Sequence, residues 1–187
     1  MNKLYIKNMV CQRCIMAVEI LANRLDIDYA NIVLGELTLN SEISEDKMRE
    51  LTRELQAIGF EVLDDKRSRI TEQIKIHVRE LVHRKDNNIK INLSDYLSEK
   101  MNQDYAYLTS LFSETEGTTI EKYFIANKIE RVKELLAYDN LSLSEIAHML
   151  NYSSVAHLSS QFKKITGVTP SSYKEAVDKK RKSLDDV

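Results

Sequence analysis

Between residues 3 and 8, Leu4 and Ile6 alternate with polar neighbours, the period-two pattern of a half-buried strand. In "IMAVEILANRL" (15–25) the apolar positions switch to helical spacing, and "YANIVLG" and "ELTLN" then read as two strands meeting in a hairpin at Gly35-Glu36. "SEDKMRELTRELQAIGF" places Met48, Leu51, Leu55 and Ile58 on one helical side with Gly59 as its stop, and "EVLDD" supplies a last strand. The predicted order is βαββαβ. After the short connection "DDKRSR" (64–69) the strand signal ends, and only helical periods follow, beginning with "ITEQIKIHVRELVH".

The helical part contains a self-match at a spacing of fifty residues. "LSDYLSEKMNQDYAYLTSLFSETEGTTIEKY" (93–123) aligns without a gap on "LSEIAHMLNYSSVAHLSSQFKKITGVTPSSY" (143–173). Identities fall at Leu93/Leu143, Ser94/Ser144, Ala106/Ala156, Leu108/Leu158, Ser110/Ser160, Phe112/Phe162, Gly117/Gly167, Thr119/Thr169 and Tyr123/Tyr173, so one supersecondary unit occurs twice. In the second copy Ser142 and Glu145 are spaced as a capping box ahead of Ile146, Ala147, Met149 and Leu150. "NYSS" supplies a turn and a new N-cap; the next helix puts Val155, Leu158, Phe162 and Ile165 on one side, with Gly167 as its stop and Pro170 beyond. The opposite side, with Ser153, Ala156, His157, Ser160, Lys163 and Lys164, is left for solvent or a partner, the layout of a helix-turn-helix whose second helix enters a DNA major groove. Between the copies, "TTIEKYFIANKIERVKELLAYDN" begins with a Thr118/Glu121 capping-box spacing and predicts a helix of roughly 30 Å. Successive major grooves on one face of B-DNA lie about 34 Å apart, so a stiff connector of this length suits two reading heads.

Composition narrows the class. A chain of 187 residues with 43% hydrophobic and 30% charged residues is ordinary for a globular protein, and one proline and four glycines favour helices. No apolar run approaches the roughly 18 residues of a membrane span, and "MNKLYIKNMV" lacks the features of a signal peptide, so a cytoplasmic protein without membrane contact is expected. The fold class expected is therefore α+β: a ferredoxin-like βαββαβ domain over 1–66, an all-α double helix-turn-helix domain over 67–175, and a tail over 176–187. Residues 1–66 carry 8 Lys+Arg against 12 Asp+Glu, leaving 19 against 17 for 67–187. Neither half is strongly basic, and nucleic-acid contact must come from local placement of charge.

Residues from about 70 to 175 resemble the DNA-binding domain of AraC/XylS-type bacterial transcription regulators. The resemblance is carried by "YFIANKIERVKELL" (123–136) and by "LSLSEIAHMLNYSSVAHLSSQFKKITGVTPSSYK" (141–174), with its F-K-K-x-x-G-x-T-P-x-x-Y ending. It implies a sequence-specific binder of double-stranded promoter DNA. It also implies DNA-contacting roles at Ser154, Ala156, His157, Ser160, Lys163 and Lys164 in the second unit, and at Ala106, Thr109 and Ser110 in the first. The positions after the shared Phe are basic in that family, yet here they are Lys163 and Lys164 in one copy and Ser113 and Glu114 in the other. The first unit, 92–118, carries Lys100 alone against Asp95, Glu99, Asp104, Glu114 and Glu116. An acidic reading helix is repelled by phosphate, so the second unit is expected to dominate, the first contributing weakly or touching another protein such as RNA polymerase. Neither face offers an arginine to guanine, which leaves specificity modest or dependent on a homodimer. The basic run "KKRK" (179–182) reads equally as a phosphate-contacting tail or a solvated terminus.

Both cysteines lie in "NMVCQRC" (8–14), on the loop after the first strand and at the opening of the first helix. There the helix dipole, the free N–H groups and Arg13 favour thiolate. Two thiolates two residues apart grip a soft ion: Cu(I) in two-coordination, or Zn(II) as half of a tetrahedral site. Residues 3–64 resemble the heavy-metal-associated domain of copper chaperones and metal-transporting ATPases, "NMVCQRC" standing where that family has G-M-T/H-C-x-x-C and "AIGF" near its A-G-Y/F ending. The resemblance implies Cys11 and Cys14 as ligands, Met9 as a loop anchor and Phe60 as a neighbour of the site. Asn8 and Val10 depart from its usual residues. Metal binding, a thiol redox switch and a vestigial pair in a structural or dimerising domain stay open.

The expectation is a transcription regulator of AraC/XylS type, not an enzyme, controlled by metal or thiol state at Cys11/Cys14. The alternative is a metallochaperone whose helical part docks a protein, which the second reading head disfavours. An oxidoreductase is the third class; the pair lacks thioredoxin-like flanks, and no nucleophile–base set or phosphate loop occurs elsewhere.

Overall fold

A computed structural model describes residues 2–83, 92–138 and 141–178; the basic run 179–182 lies outside them. By contact the described residues form two units, one drawn from 2–77 and 97–117 and one from 78–83, 92–96, 118–138 and 141–178.

The first unit is built on β1 (Asn2–Lys7), α1 (Gln12–Arg24), β2 (Tyr29–Val33), β3 (Glu36–Leu39), α2 (Glu45–Ala57) and β4 (Glu61–Leu63). The strands form one antiparallel sheet in the order β2-β3-β1-β4, with Tyr5 opposite both Glu36 and Leu63. Alternation along the strands sends Ile6, Leu37 and Leu39 to a core shared with Val18, Leu21 and Ala22 of α1 and Leu51 and Leu55 of α2. Each such side chain removed from water contributes about 1.5–3 kcal/mol, which fixes the register, because a one-residue slip would turn the whole set outward. The β2–β3 turn is Leu34-Gly35, one residue earlier than the sequence suggests, and Gly35 takes the left-handed conformation (φ 76°).

The sheet's other face is met by α3 (Lys66–His83), whose residues up to His77 belong to this unit. Arg69 donates from Nε to the carbonyl of Leu63 at 3.0 Å and lies over the Tyr5 ring at 5.1 Å. Ile76 packs so closely on the β2–β3 turn that a Cβ on Gly35 would lie 2.3 Å from its Cδ1. The same unit holds the end of α4 (Leu93–Met101) and α5 (Tyr105–Glu116), in which Leu97, Leu108, Leu111 and Phe112 are buried.

The second unit contains α6 (Ile120–Tyr138), α7 (Leu143–Met149), α8 (Val155–Thr166) and α9 (Pro170–Asp178). Ile129, Val132, Leu135 and Leu136 of α6 join Ile146, Ala147 and Leu150 around α7 and Leu158 and Phe162 of α8 in one core. The expected Ser142/Glu145 capping box is formed, with both reciprocal hydrogen bonds. At α6 the cap lies one residue later than the Thr118/Glu121 spacing suggests: the N–H of Lys122 donates to the Thr119 hydroxyl at 3.2 Å, as Ser172 does to Thr169 in the repeat. Ile165, assigned by periodicity to the buried side, is 46% exposed, because Leu158 and Phe162 already fill the core-facing stripe.

Lys128 of α6 is half-buried, with its Nζ 3.8 Å from the centre of the Tyr152 ring. Burial pushes its ammonium down to about 8, while the ring face attracts the charge.

Two measurements test this packing. Gly35→Ala and Gly59→Ala both force an L residue to positive φ, but only at Gly35 must a buried side chain also move, since nothing lies near a Cβ at Gly59. Denaturant unfolding is expected to show Gly35→Ala costing about 1 kcal/mol more than Gly59→Ala. For Lys128, the unfolded chain keeps a proton between pH 8 and the ordinary 10.5 that the folded chain has released, so folding strengthens as pH rises through that window. Comparing melts of wild type and Lys128→Met from pH 7 to 10, the wild type is expected to gain on the variant; parallel profiles would show that the ring holds the charge.

Candidate nucleic-acid interface and thiol pair

The start of α8 is organised around three neighbouring side chains. Ser154, the N-cap, accepts from the N–H of His157 at 3.1 Å. Ser153 Oγ lies 3.0 Å from His157 Nδ1, and the imidazole meets the Tyr152 ring edge-on at 5.3 Å. Tyr152 is itself held by donating to Gln161 Oε1 at 2.7 Å. With Leu158 and Phe162 turned inward, Ala156, His157, Ser160, Lys163 and Lys164 occupy the opposite, exposed side. Short side chains let a helix approach base edges, and two lysines in the last turn supply cations at its end.

The first helix-turn-helix copy repeats the caps of this helix but not its Tyr152, Ser153 and Gln161 contacts, where Asn102, Gln103 and Leu111 stand. Asp104 caps α5 as Ser154 caps α8, and Gly117 and Gly167 end both helices in the left-handed conformation with their N–H groups bonded to Ser113 and Lys163. Ala106 and Ser110 are exposed, whereas Thr109 is half-buried and its Oγ1 is enclosed without a hydrogen-bond partner among the described residues. Tyr107, 43% exposed, stands at the repeat equivalent of His157. It was not among the sequence candidates, though the fifty-residue register points to it.

The window 92–118 also hides two cations that the fold supplies. Arg67 of α3 pairs with Glu114, which accepts from Ser110 Oγ at 3.1 Å as well, and the two donors hold the Glu114 carboxyl below the usual carboxylate range. Lys75 pairs with Glu116 at 2.7 Å. The acidic end of α5 is thus partly neutralised from outside its own helix.

At the N-terminus, Asn8 takes a left-handed conformation (φ 74°) where the heavy-metal-associated pattern has glycine, and its Nδ2 donates to the carbonyl of Gly59 at 3.0 Å. Met9 is fully buried and Phe60 nearly so. Cys11, exposed, is the N-cap of α1, and its sulfur lies 3.8 Å from that of Cys14, which accepts from the N–H of Val10 at 3.5 Å. The backbone N–H groups of Cys14 and Arg13 lower the Cys11 thiol, with Arg13's charge adding a smaller push. Two sulfurs 3.8 Å apart match a pair of ligands at a Zn–S bond of about 2.3 Å in tetrahedral geometry, and a small rotation opens them for two-coordination. Among the described residues no group of three or more His, Cys, Asp or Glu gathers to hold a metal, so these two thiols alone fit a soft ion, and a full tetrahedral zinc shell is not assembled. His77, His83, His148 and His157 do not join them.

A family model described as a helix-turn-helix domain matches residues 97–176. The xylose operon regulatory protein of Escherichia coli K12 is 37% identical over 68 residues, 36% of this chain and 17% of that protein. An uncharacterized HTH-type transcriptional regulator of Bacillus subtilis is 26% identical over 81 residues, 43% of this chain and 10% of its own length. The matches thus span less than a fifth of these relatives. Among solved structures, the C-terminal domain of AraT, a response regulator from Geobacillus stearothermophilus, aligns over 60% of this chain and 88% of its own with TM-score 0.51 at 22% identity. A Chromobacterium violaceum regulator described by its AraC-type DNA-binding domain aligns over 59% and 97% with TM-score 0.50 at 20% identity. No described helix is long and apolar enough to cross a membrane. The helical part of the chain therefore carries a helix-turn-helix domain with the fold of AraC-type DNA-binding domains.

Proposed function

We propose that the protein is a sequence-specific, double helix-turn-helix regulator of transcription, not an enzyme, whose DNA contact is dominated by α8. The observation that carries this is the exposed face of Ala156, His157 and Ser160 ending in Lys163 and Lys164, on a helix fixed by the Ser154 cap. In this reading the lysines contact phosphates, His157 and Ser160 hydrogen-bond base edges, and Ala156 gives an apolar contact such as a thymine methyl accepts. Ala106, Tyr107 and Ser110 form a weaker second head, and Thr109 supports it from within. RNA polymerase and a second copy of the chain are the further partners of this reading.

The N-terminal segment is, in the same proposal, a ferredoxin-like, heavy-metal-associated-like sensor. Its βαββαβ order, the sheet order β2-β3-β1-β4 and the left-handed Asn8 support that assignment. Cys11 and Cys14 hold Cu(I) as a two-thiolate pair, and the ion adds a bond across the loop between β1 and α1. The metallochaperone alternative would use the same pair without selective DNA binding.

The DNA reading is tested by anisotropy with a promoter fragment of the protein's own gene. Lys163→Ala/Lys164→Ala is expected to weaken binding at all sequences and reduce the slope of log K against log salt by about 2. His157→Ala should flatten the preference at one base pair, and Tyr107→Ala/Ser110→Ala should cost less than either. Unselective binding by the wild type would return the metallochaperone to first place.

The thiol reading has its own test. Iodoacetamide should alkylate Cys11 with a pH midpoint below that of an ordinary thiol, because the lowered thiol is ionised earlier as pH rises. Cu(I) held against a competing chelator should protect both thiols, and Cys11→Ser/Cys14→Ser should abolish the retention. An ordinary midpoint with no copper retention would leave the pair a structural remnant.

A further inference from the structure

Within the first unit a cleft of about 630 Å³ opens between the outer face of the sheet, α3 and the end of α4, in the size range of small-molecule sites. Its charge is lopsided. Lys66, Arg69 and Lys100 enter it from α3 and α4, and among the described residues none of the three pairs with a carboxylate. The one carboxylate on its wall, Glu36, is already engaged by Lys3 at 2.8 Å. Arg69 is held in place by its Nε bond to Leu63 and its stacking on Tyr5, which keeps its remaining N–H groups pre-organised for an anion. Beside these cations Tyr5, Ile70 and Met101 supply an apolar patch, and Gln73, His77 and Gln103 complete the wall with polar groups.

Unpaired cations next to an apolar patch on a partly polar wall select one kind of ligand. A free inorganic anion leaves the Tyr5, Ile70 and Met101 patch wet, and a neutral apolar molecule leaves three positive charges uncompensated. We infer that this cleft binds a small organic anion, a phosphate ester or carboxylate with a flat apolar body, its charge on Arg69, Lys66 and Lys100 and its body against Tyr5, Ile70 and Met101. Its lining joins the sheet to α4 and, through Gln103, to the turn ahead of α5, so an occupant would tie the N-terminal segment to the first helix-turn-helix unit. The site uses none of the residues proposed to read DNA or to hold copper, and it stands whether or not those readings do.

The test is calorimetric titration of the full chain with phenyl phosphate, beside inorganic phosphate and benzyl alcohol, at low and high salt. One-to-one saturable binding of phenyl phosphate is expected, at least about tenfold tighter than either control and weaker in high salt. Lys100→Gln, an exposed change with no packing cost, and Arg69→Gln should each lower the affinity about tenfold, whereas Lys122→Gln, an exposed lysine in the second unit, should not. Absence of saturable binding would overturn the inference. So would equal affinity for phenyl and inorganic phosphate, or an equal loss with Lys122→Gln, since either would mean diffuse attraction to surface charge. Melting curves of Arg69→Gln separate lost folding from lost binding, and Lys100→Gln decides the matter if that variant is unstable.

Discussion

A sheet of four strands has two faces, and two helices can cover only one of them. Here α1 and α2 bury Ile6, Leu37 and Leu39, while Tyr5 and Thr38 alternate onto the other side. That second face needs a cover of its own, and α3 up to His77 provides part of it, with Ile76 against Gly35 and Arg69 across Tyr5. The helix that follows the sheet in sequence is thereby packed on it. This is why the first unit extends past the last strand to His77 and takes in residues 97–117.

The same helix settles the charge of α5. Lys75 and Glu116 pair with only 16% and 28% of their side chains exposed, so water screens them little. Arg67 and Glu114 are each more than half exposed, and such a pair contributes at most about 1 kcal/mol. The first pair works as a fastening. The second is exchangeable: a phosphate approaching α5 meets Arg67 as well as Glu114, and the guanidinium can turn from the carboxylate to the phosphate at small cost. In the proposed reading α5 is thus less repellent to DNA than its own residues imply.

Much of this was legible in the sequence because local rules agreed with the fold. Period-two and period-3.6 patterns placed the four strands and the helices through α8, and the repeat at fifty residues marked both helix-turn-helix units, but α9 beyond Pro170 had no periodic signal of its own. The errors fell where a local rule had a close competitor or where distant residues meet. Thr119 took the cap from Thr118 because its hydroxyl reaches the N–H of Lys122, and Ile165 stayed outside because Phe162 had filled the core. Arg67 and Lys75 lie 47 and 41 positions from their partners, and Tyr5 and Lys100 line one cleft from 95 positions apart. No window of a single sequence joins such residues, so the cleft and the neutralised α5 had no signal there. Cys11 and Cys14, adjacent along the chain, were visible at once.

The repeat also shows where function is written. Between α5 and α8 the positions that make the scaffold match: the cap, Leu108/Leu158, Phe112/Phe162 and the terminal glycine, each demanded by burial or by backbone conformation. Among the positions that differ, Leu111 against Gln161 is a change at a buried site of α5, while Tyr107 against His157, Ser113 against Lys163 and Glu114 against Lys164 are not buried. Packing cannot tell a lysine from a glutamate at such a site, so the fold imposes no choice between them. Two copies of one unit kept the Leu and Phe anchors of the helix-turn-helix and diverged in charge on the surface that would meet phosphate. The two helices therefore differ in charge at Ser113/Lys163 and Glu114/Lys164, with the same capped backbone beneath them.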